Sequence, residues 1–253
     1  MEYYTEVKLM GDAYGAGFSN GLTMCGSQSA AAFRKVEDMG PDAVYDDDRQ
    51  HRIVLHKKAA GQAVEVSTEF INDSAEAVTL EMLSSFAIRG INADRIHRLQ
   101  SFWSAEGKLR TESIEELHLE PSWNRCGMRV EKFGNVGSMP VRKYFPFLVV
   151  EDSKKQEFLG IQLYCPSSWQ IEILCKDDDT LTIVGGIADR DFGHWMKKLS
   201  PGEKFVTPKA VIAGGNTLYE VCDKLVKAQK PAISDVDKKM GIAFNEYCTT
   251  WGN

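Results

Sequence analysis

The sequence predicts a mainly β protein, a large antiparallel β-sandwich with one C-terminal helix. Three observations carry this expectation. Short apolar runs alternate with polar residues at a period of two, turn-forming clusters separate these runs, and a helical apolar period is clear at one place near the C-terminus. Many strands with little helix between them argue against the alternating βα pattern of a parallel sheet.

The clearest strand covers residues 63–70, with Val64, Val66, Thr68 and Phe70 on one side and Glu65, Ser67 and Glu69 on the other. Asn72, Asp73 and Ser74 follow, short polar side chains that favour a turn by bonding to nearby backbone. Residues 77–86 then form a second run holding Val78, Leu80, Met82 and Leu83, so an antiparallel hairpin is expected. Further strands are expected over 145–150, 158–164, 169–174, 180–184 and 205–213, with turns at 151–153, 166–168 and 176–179. Within them Trp169, Ile171 and Ile173 alternate with Gln170 and Glu172. Over 217–229, Leu218, Val221, Cys222, Leu225 and Val226 recur at helical spacing, and Thr217 with Glu220 three residues on matches a capping box. The helix stops before Pro231, residues 231–240 are polar enough for a linker, and Ile242, Ala243 and Phe244 open a last strand-like run. In the first 50 residues, Gly11, Gly15, Gly17, Gly21 and Gly26 suggest tight turns between short strands. Gly185-Gly186 and Gly214-Gly215 lack the P-loop lysine and the Rossmann spacing, and are expected to be turns.

At 253 residues the chain fits one large all-β domain. A formal charge of −6 argues against a nucleic-acid surface, which needs a basic footprint to displace counterions. No apolar run approaches the roughly 20 residues of a membrane helix, and residues 1–10 lack the apolar core of a secretory signal. The six cysteines, Cys25, Cys126, Cys165, Cys175, Cys222 and Cys248, form no C-x-x-C pair and no zinc-finger spacing with histidine. They read as reduced thiols, which gives a cytoplasmic expectation. No cofactor and no metal site are expected.

Asp46, Asp47, Asp48 and Arg49 make the sharpest charge cluster, suited to hydrogen-bonding sugar hydroxyls or holding a calcium ion; its spacing is not that of an EF-hand, and the plainer reading is a solvated loop. Trp103 and Glu106 pair a ring that stacks on sugar with a carboxylate that accepts hydroxyls, against the plainer reading of a core tryptophan beside a surface acid. Trp123 and Trp169 carry the same two readings. Glu115, Glu116 and His118, or His51, His56 and His97, could serve as acids and bases, but their spacing forms no known metal or nucleophile pattern.

Several segments, in order, resemble the N-terminal region of glycoside hydrolase family 36, best known for α-galactosidases. They are Trp103 to Gly107; Gly137-Ser138-Met139-Pro140 before Tyr144-Phe145-Pro146-Phe147-Leu148; Phe158-Leu159-Gly160-Ile161-Gln162-Leu163 before Ser168-Trp169-Gln170; and Leu199-Ser200-Pro201-Gly202-Glu203-Lys204-Phe205-Val206-Thr207-Pro208. The run from Phe244 to Asn253 is similar to the first strand and following loop of the family's (β/α)₈ barrel. The resemblance implies a supersandwich like that of galactose mutarotase over residues 1–230, then a linker and the first strand of a barrel, otherwise missing, over 231–253. It also implies a retaining mechanism, in which one Asp attacks the anomeric carbon while a second protonates the leaving oxygen and then activates water. Both lie on later barrel strands in the family, so no catalytic residue is assigned here. The family's sandwich lends a loop to the sugar pocket, which casts Asp46, Asp47, Asp48 and Arg49 as substrate-binding. Tyr247 stands where relatives often carry a pocket-wall tryptophan. The implied partners are an α-galactoside oligosaccharide, the rest of the barrel and further copies of the chain. The alternatives are a stand-alone carbohydrate-binding module and a mutarotase-like enzyme using His97 or His118.

Overall fold

The computed structural model describes residues 1–15, 21–101, 106–119, 128–139, 141–175, 180–229 and 235–240, and two antiparallel sheets dominate it. In chain order the elements are β1 (Glu2–Tyr4), β2 (Val7–Leu9), α1 (Gln28–Ala32), β3 (Arg34–Asp38), β4 (Asp42–Asp46), β5 (His51–Ala60), β6 (Ala63–Asn72) and β7 (Val78–Ile91). There follow β8 (Arg95–Gln100), β9 (Lys108–Ser113), β10 (Arg129–Asn135), β11 (Phe147–Asp152), β12 (Glu157–Leu163), β13 (Trp169–Cys175) and β14 (Leu181–Ile187). The last are α2 (Arg190–Gly193), β15 (Lys197–Leu199), β16 (Lys204–Val206), β17 (Ala210–Gly215), α3 (Leu218–Ala228) and α4 (Asp235–Met240). The seven-stranded sheet runs β1-β7-β14-β13-β10, with β2 and β15 also on β7; the ten-stranded sheet runs β3-β4-β5-β6-β17-β12-β11-β8-β9, with β16 on β6. The antiparallel sandwich expected from the sequence is therefore the fold.

Three apolar layers hold it together. Between the sheets lies the main core, where Phe70, Phe86, Ile88, Ile96, Leu148, Ile161, Trp169 and Ile171 are fully buried. Outside the ten-stranded sheet, Val221 and Leu225 of α3 cover Phe147, Val149, Val211 and Ala213. Outside the seven-stranded sheet, Met24 and Cys25 cover Met82, Ala87, Leu174 and Val184. Both faces of β13 are consequently buried: Ile171 and Ile173 point into the main core, while Gln170 and Glu172 lie beneath the N-terminal segment, 4% and 1% exposed.

Several expectations need correction. Strands β6 and β7 do not form a hairpin; β6 pairs β5, β16 and β17, whereas β7 pairs β1, β2, β14 and β15 in the other sheet. The Asn72 side chain makes the corner between sheets: its amide donates to the carbonyls of Glu76 (2.8 Å) and Leu199 (3.1 Å), and its oxygen accepts from the Ser74 hydroxyl at 2.7 Å. The strand expected over 205–213 is two, β16 and β17, because Pro208 has no N–H for the ladder and the Thr207 hydroxyl instead accepts the Thr68 N–H at 3.0 Å. Gly185-Gly186 and Gly214-Gly215 sit inside β14 and β17 rather than in turns. A Cβ on Gly185 would stand 2.7 Å from the Phe86 ring, so this glycine serves close packing. Residues 231–240, expected as linker, include α4, and the short helices α1 and α2 also went unforeseen.

Candidate functional site

The acidic cluster forms the tight turn between β4 and β5, at one end of the ten-stranded sheet. Its geometry is set by Asp47, whose buried carboxylate accepts the backbone N–H groups of Arg49 (2.9 Å) and His51 (2.8 Å) and meets His51 Nδ1 at 2.8 Å. An Asp that bonds to the backbone just ahead of it is a standard way of closing a turn. Gln50 takes a positive φ of 64° to complete the reversal. Asp46 lies on the last position of β4 and accepts both Nε and Nη2 of Arg52, at 2.8 and 3.0 Å; this pairing holds its carboxyl below the ordinary range. Arg49 forks onto Asp12 at 3.0 and 2.9 Å, tying the turn to the N-terminal segment. Partial burial opposes ionisation of Asp12, but Arg49 and the Ser29 hydroxyl outweigh it and hold the carboxyl low.

The turn therefore brings all four predicted residues together, in two different conditions. Asp46 and Asp47 are occupied by Arg52, Arg49 and His51. Asp48 is exposed, and among the described residues no hydrogen bond or ion pair engages its carboxylate; the Arg49 side chain is 43% exposed beside it. Tyr247, Trp103 and Trp123 lie outside the described residues. Trp169 is fully buried, its ring edge-on to Phe133 at 5.9 Å, a core residue.

Three of the predicted histidines, His51, His56 and His97, are held by side-chain contacts. His97 has both ring nitrogens engaged, by Thr111 Oγ1 and Glu151 Oε2, each at 2.9 Å, and stacks on Phe158. His118 sits in a turn at φ 54°, and the Glu116 carboxylate caps the Ser113 N–H at 2.7 Å. His56 lies on the outer sheet face between Asp42 (2.9 Å) and Glu69 (3.6 Å).

Sequence reading missed a larger polar network, buried between the seven-stranded sheet and the N-terminal segment. Lys132 on β10 bridges Glu172 (2.9 Å) and Asp189 (3.1 Å). Gln170 donates to both of those carboxylates, and Thr23 donates to Glu172. Alongside, the fully buried Lys8 pairs with Glu81 at 3.0 Å, and Glu81 also receives Arg190. Burial pushes the Glu172 carboxyl up against the pull of Lys132. Burial likewise pushes Glu6 up to about 7, with the Glu172 charge adding and the Gly26 N–H opposing. Raised carboxyls suit proton donation, but these lie under Thr23, Met24 and Cys25, each at most 2% exposed. Cys25, Cys165 and Cys222 are free thiols, and among the described residues no group of His, Cys, Asp and Glu has the arrangement of a metal site. No helix of the described residues is long and apolar enough to cross a membrane.

Two antiparallel sheets of seven and ten strands, with helix α3 outside one and the N-terminal segment outside the other, define the class of large antiparallel β-sandwiches. No family model and no curated protein matches the sequence. Solved structures do match. The α-galactosidase from Lactobacillus brevis aligns at a TM-score of 0.56 and 15% identity, over 85% of this chain and 26% of that one. A variant of the glycoside hydrolase family 36 α-galactosidase AgaA from Geobacillus stearothermophilus, in complex with stachyose, aligns at 0.59 and 15%, over 90% of this chain and 29% of that one. The galactosidase domain of the α-galactosidase-sucrose kinase AgaSK aligns at 0.58 and 13%, over 85% and 27%. The chain thus shares the fold of a section of these enzymes and spans little more than a quarter of their length.

Proposed function

We propose that this chain is the N-terminal sandwich domain of a retaining α-galactosidase of the family 36 type. In this reading residues 1–230 form the sandwich and residues 231–253 lead into the first strand of a catalytic barrel, with Tyr247 on the pocket wall. The sandwich carries no catalytic carboxylate; it positions the barrel, supports contacts between copies of a cytoplasmic homo-oligomer, and lends the 46–49 turn to the pocket rim. There Asp48 accepts sugar hydroxyls and Arg49 donates to them, while Asp46 and Asp47 hold the turn's shape. The observation that carries the reading is the fold likeness over 85–90% of the chain to enzymes more than three times as long. The ion pairing of the buried carboxylates supports the non-catalytic part: Glu81, Glu112, Glu172 and Asp189 each contact a cation of the fold, leaving none of the four free to attack an anomeric carbon. Complexes of the similar AgaA variants with stachyose and raffinose support an α-galactoside oligosaccharide as the substrate class.

The test compares residues 1–253 with the polypeptide encoded by the reading frame continued past Asn253, using an aryl α-galactoside and following product anomers by NMR. The longer protein should release α-galactose first, and the short one should show no turnover. Turnover by residues 1–253 alone would overturn the non-catalytic assignment, and a longer protein inactive on α-galactosides would overturn the parent activity.

A further inference from the structure

Among the described residues, Glu6 is the buried carboxylate that the ionic network leaves without a cation. It is 6% exposed on the stretch between β1 and β2, and its Oε2 accepts the Gly26 N–H at 2.9 Å. Around it stand Tyr4 from β1, Cys25 from the covering segment, Glu172 from β13 and Arg89 from β7. Arg89 is already engaged by Glu2 at 2.8 Å, and Lys132 from β10 by Glu172 and Asp189. Among the described residues no ammonium or guanidinium lies within ion-pair distance of Glu6. A charged Glu6 would therefore be a second buried anion beside Glu172 with no compensating charge, an arrangement strongly disfavoured at low dielectric.

The segment above it, residues 21–32, is held down by hydrogen bonds and by the buried Met24 and Cys25 side chains, and the bonds made by Thr23, Cys25 and Gly26 end on these acids. Gly26 N–H donates to Glu6, and the Thr23 hydroxyl and the Cys25 thiol to Glu172; the others join residues 27–29 to the N-terminal stretch, namely the Ser27 hydroxyl to the Val7 carbonyl (2.7 Å), Leu9 N–H to the Ser29 hydroxyl (2.8 Å), the Ser29 hydroxyl to Asp12 (2.7 Å), Gln28 N–H to the Ala13 carbonyl (2.9 Å) and Ala13 N–H to the Gln28 amide oxygen (3.0 Å). We propose that this segment is a proton-controlled strap: neutral Glu6 lets it close over the seven-stranded sheet, and loss of the Glu6 proton to water releases it. Release hydrates the new carboxylate and uncovers the polar floor of Lys132, Gln170 and Glu172. Burial holds the Glu6 proton in the closed form to about pH 7, whereas a hydrated carboxyl loses it near 4.5. Opening therefore grows more favourable as pH rises between those values, by up to roughly tenfold for each step of one in pH, and levels off above.

Hydrogen exchange followed by mass spectrometry on the intact chain, corrected for the intrinsic pH dependence of exchange, tests this directly. From about pH 5 to 7, protection across residues 21–32 should fall by roughly fortyfold while peptides from β13 and β14 hold theirs, and Glu6→Gln should flatten the profile. Flat protection in the natural chain, an unchanged slope in Glu6→Gln, or a parallel fall in β13 and β14 would each overturn the strap. Should Glu6→Gln not fold, Tyr4→Phe removes the neighbouring phenol, which favours the ionised form of Glu6, and should move the midpoint to higher pH; an unmoved midpoint overturns the proposal equally.

Discussion

Arg98 joins the two sheets through one side chain. On β8 of the ten-stranded sheet and 3% exposed, it reaches Glu112 of β9 and, at 2.6 Å, Glu131 of β10 in the seven-stranded sheet, and its guanidinium lies 5.0 Å from the Phe133 ring centre and 5.1 Å from that of Tyr144. Removing one partner of a buried ion pair leaves the others desolvated and unmatched, so we expect Arg98→Met to lower unfolding free energy by about 3–5 kcal/mol, read from urea midpoints. Arg98→Lys should recover only part of this, because an ammonium lacks the planar fork that reaches both carboxylates while lying against the aromatic rings. Full recovery would show that charge alone matters there. The 46–49 turn makes the opposite case. Asp48→Ala should leave stability within about 0.5 kcal/mol, since its carboxylate contacts none of the described residues. In the longer α-galactosidase proposed above, the same change should raise KM for an α-galactoside roughly tenfold with kcat little altered, as expected for losing one hydrogen bond from a charged group. An unchanged KM would overturn the proposed role of the turn in sugar binding.

At the scale of elements, what the sequence made legible depended on whether the signal was local. Helix α3 was readable because its cap is: Thr217 Oγ1 accepts the Glu220 N–H at 3.1 Å, although the Glu220 carboxylate takes the N–H of Asn216 rather than that of Thr217. The strand positions of β11, β12, β13 and β14 were readable from alternation. Pairing was not, because β6 and β7 are adjacent in sequence but join different sheets, a choice made by Asn72 contacts reaching as far as Leu199. The Asp46–Arg49 cluster was visible as charge, whereas its partners Asp12 and Arg52, and the network from Thr23 to Glu172, depend on tertiary closure across as many as 149 positions. Paired glycines were misread as turns for the same reason. Gly160 shows the consequence: a Cβ there would lie 2.2 Å from Val221 Cγ1 of α3, so the helix docks on bare backbone. We expect Gly160→Ala to destabilise by about 1–3 kcal/mol through overpacking. Val221→Ala in the same chain should restore part of that loss, and strictly additive costs in the double-mutant cycle would refute this contact as the cause.

At the scale of the whole molecule, the sandwich contains carboxyls displaced in opposite directions, which gives its stability a defined pH profile. Arg52 holds Asp46 low; for Asp12, Asp94 and Asp191 burial opposes ionisation, but hydrogen bonds from Arg49 and Ser29, from Ser153, and from Arg190 and Tyr14 respectively prevail and hold them low. Their stabilisation is present above the ordinary carboxylate range and disappears as pH falls through their folded values. Glu6 acts the other way: folded, it keeps its proton to about 7, whereas unfolded it loses it near 4.5. Its stabilisation is complete below 4.5 and is lost as pH rises through about 7. Each tenfold difference in proton affinity between the two states is worth about 1.4 kcal/mol, so the Glu6 contribution has an upper bound of about 3 kcal/mol. Glu172, raised by burial against Lys132, adds in the same direction. Urea denaturation across pH 3 to 8 should therefore give greatest stability near about pH 5, a steep loss on the acid side and a shallower decline toward neutrality. Glu6→Gln should keep the acid limb and flatten most of the neutral one, leaving the Glu172 share. A neutral limb unchanged in that variant would mean that Glu6 is already charged in the folded protein, and the absence of any decline between pH 5 and 7 in the natural chain would mean that the network compensates it.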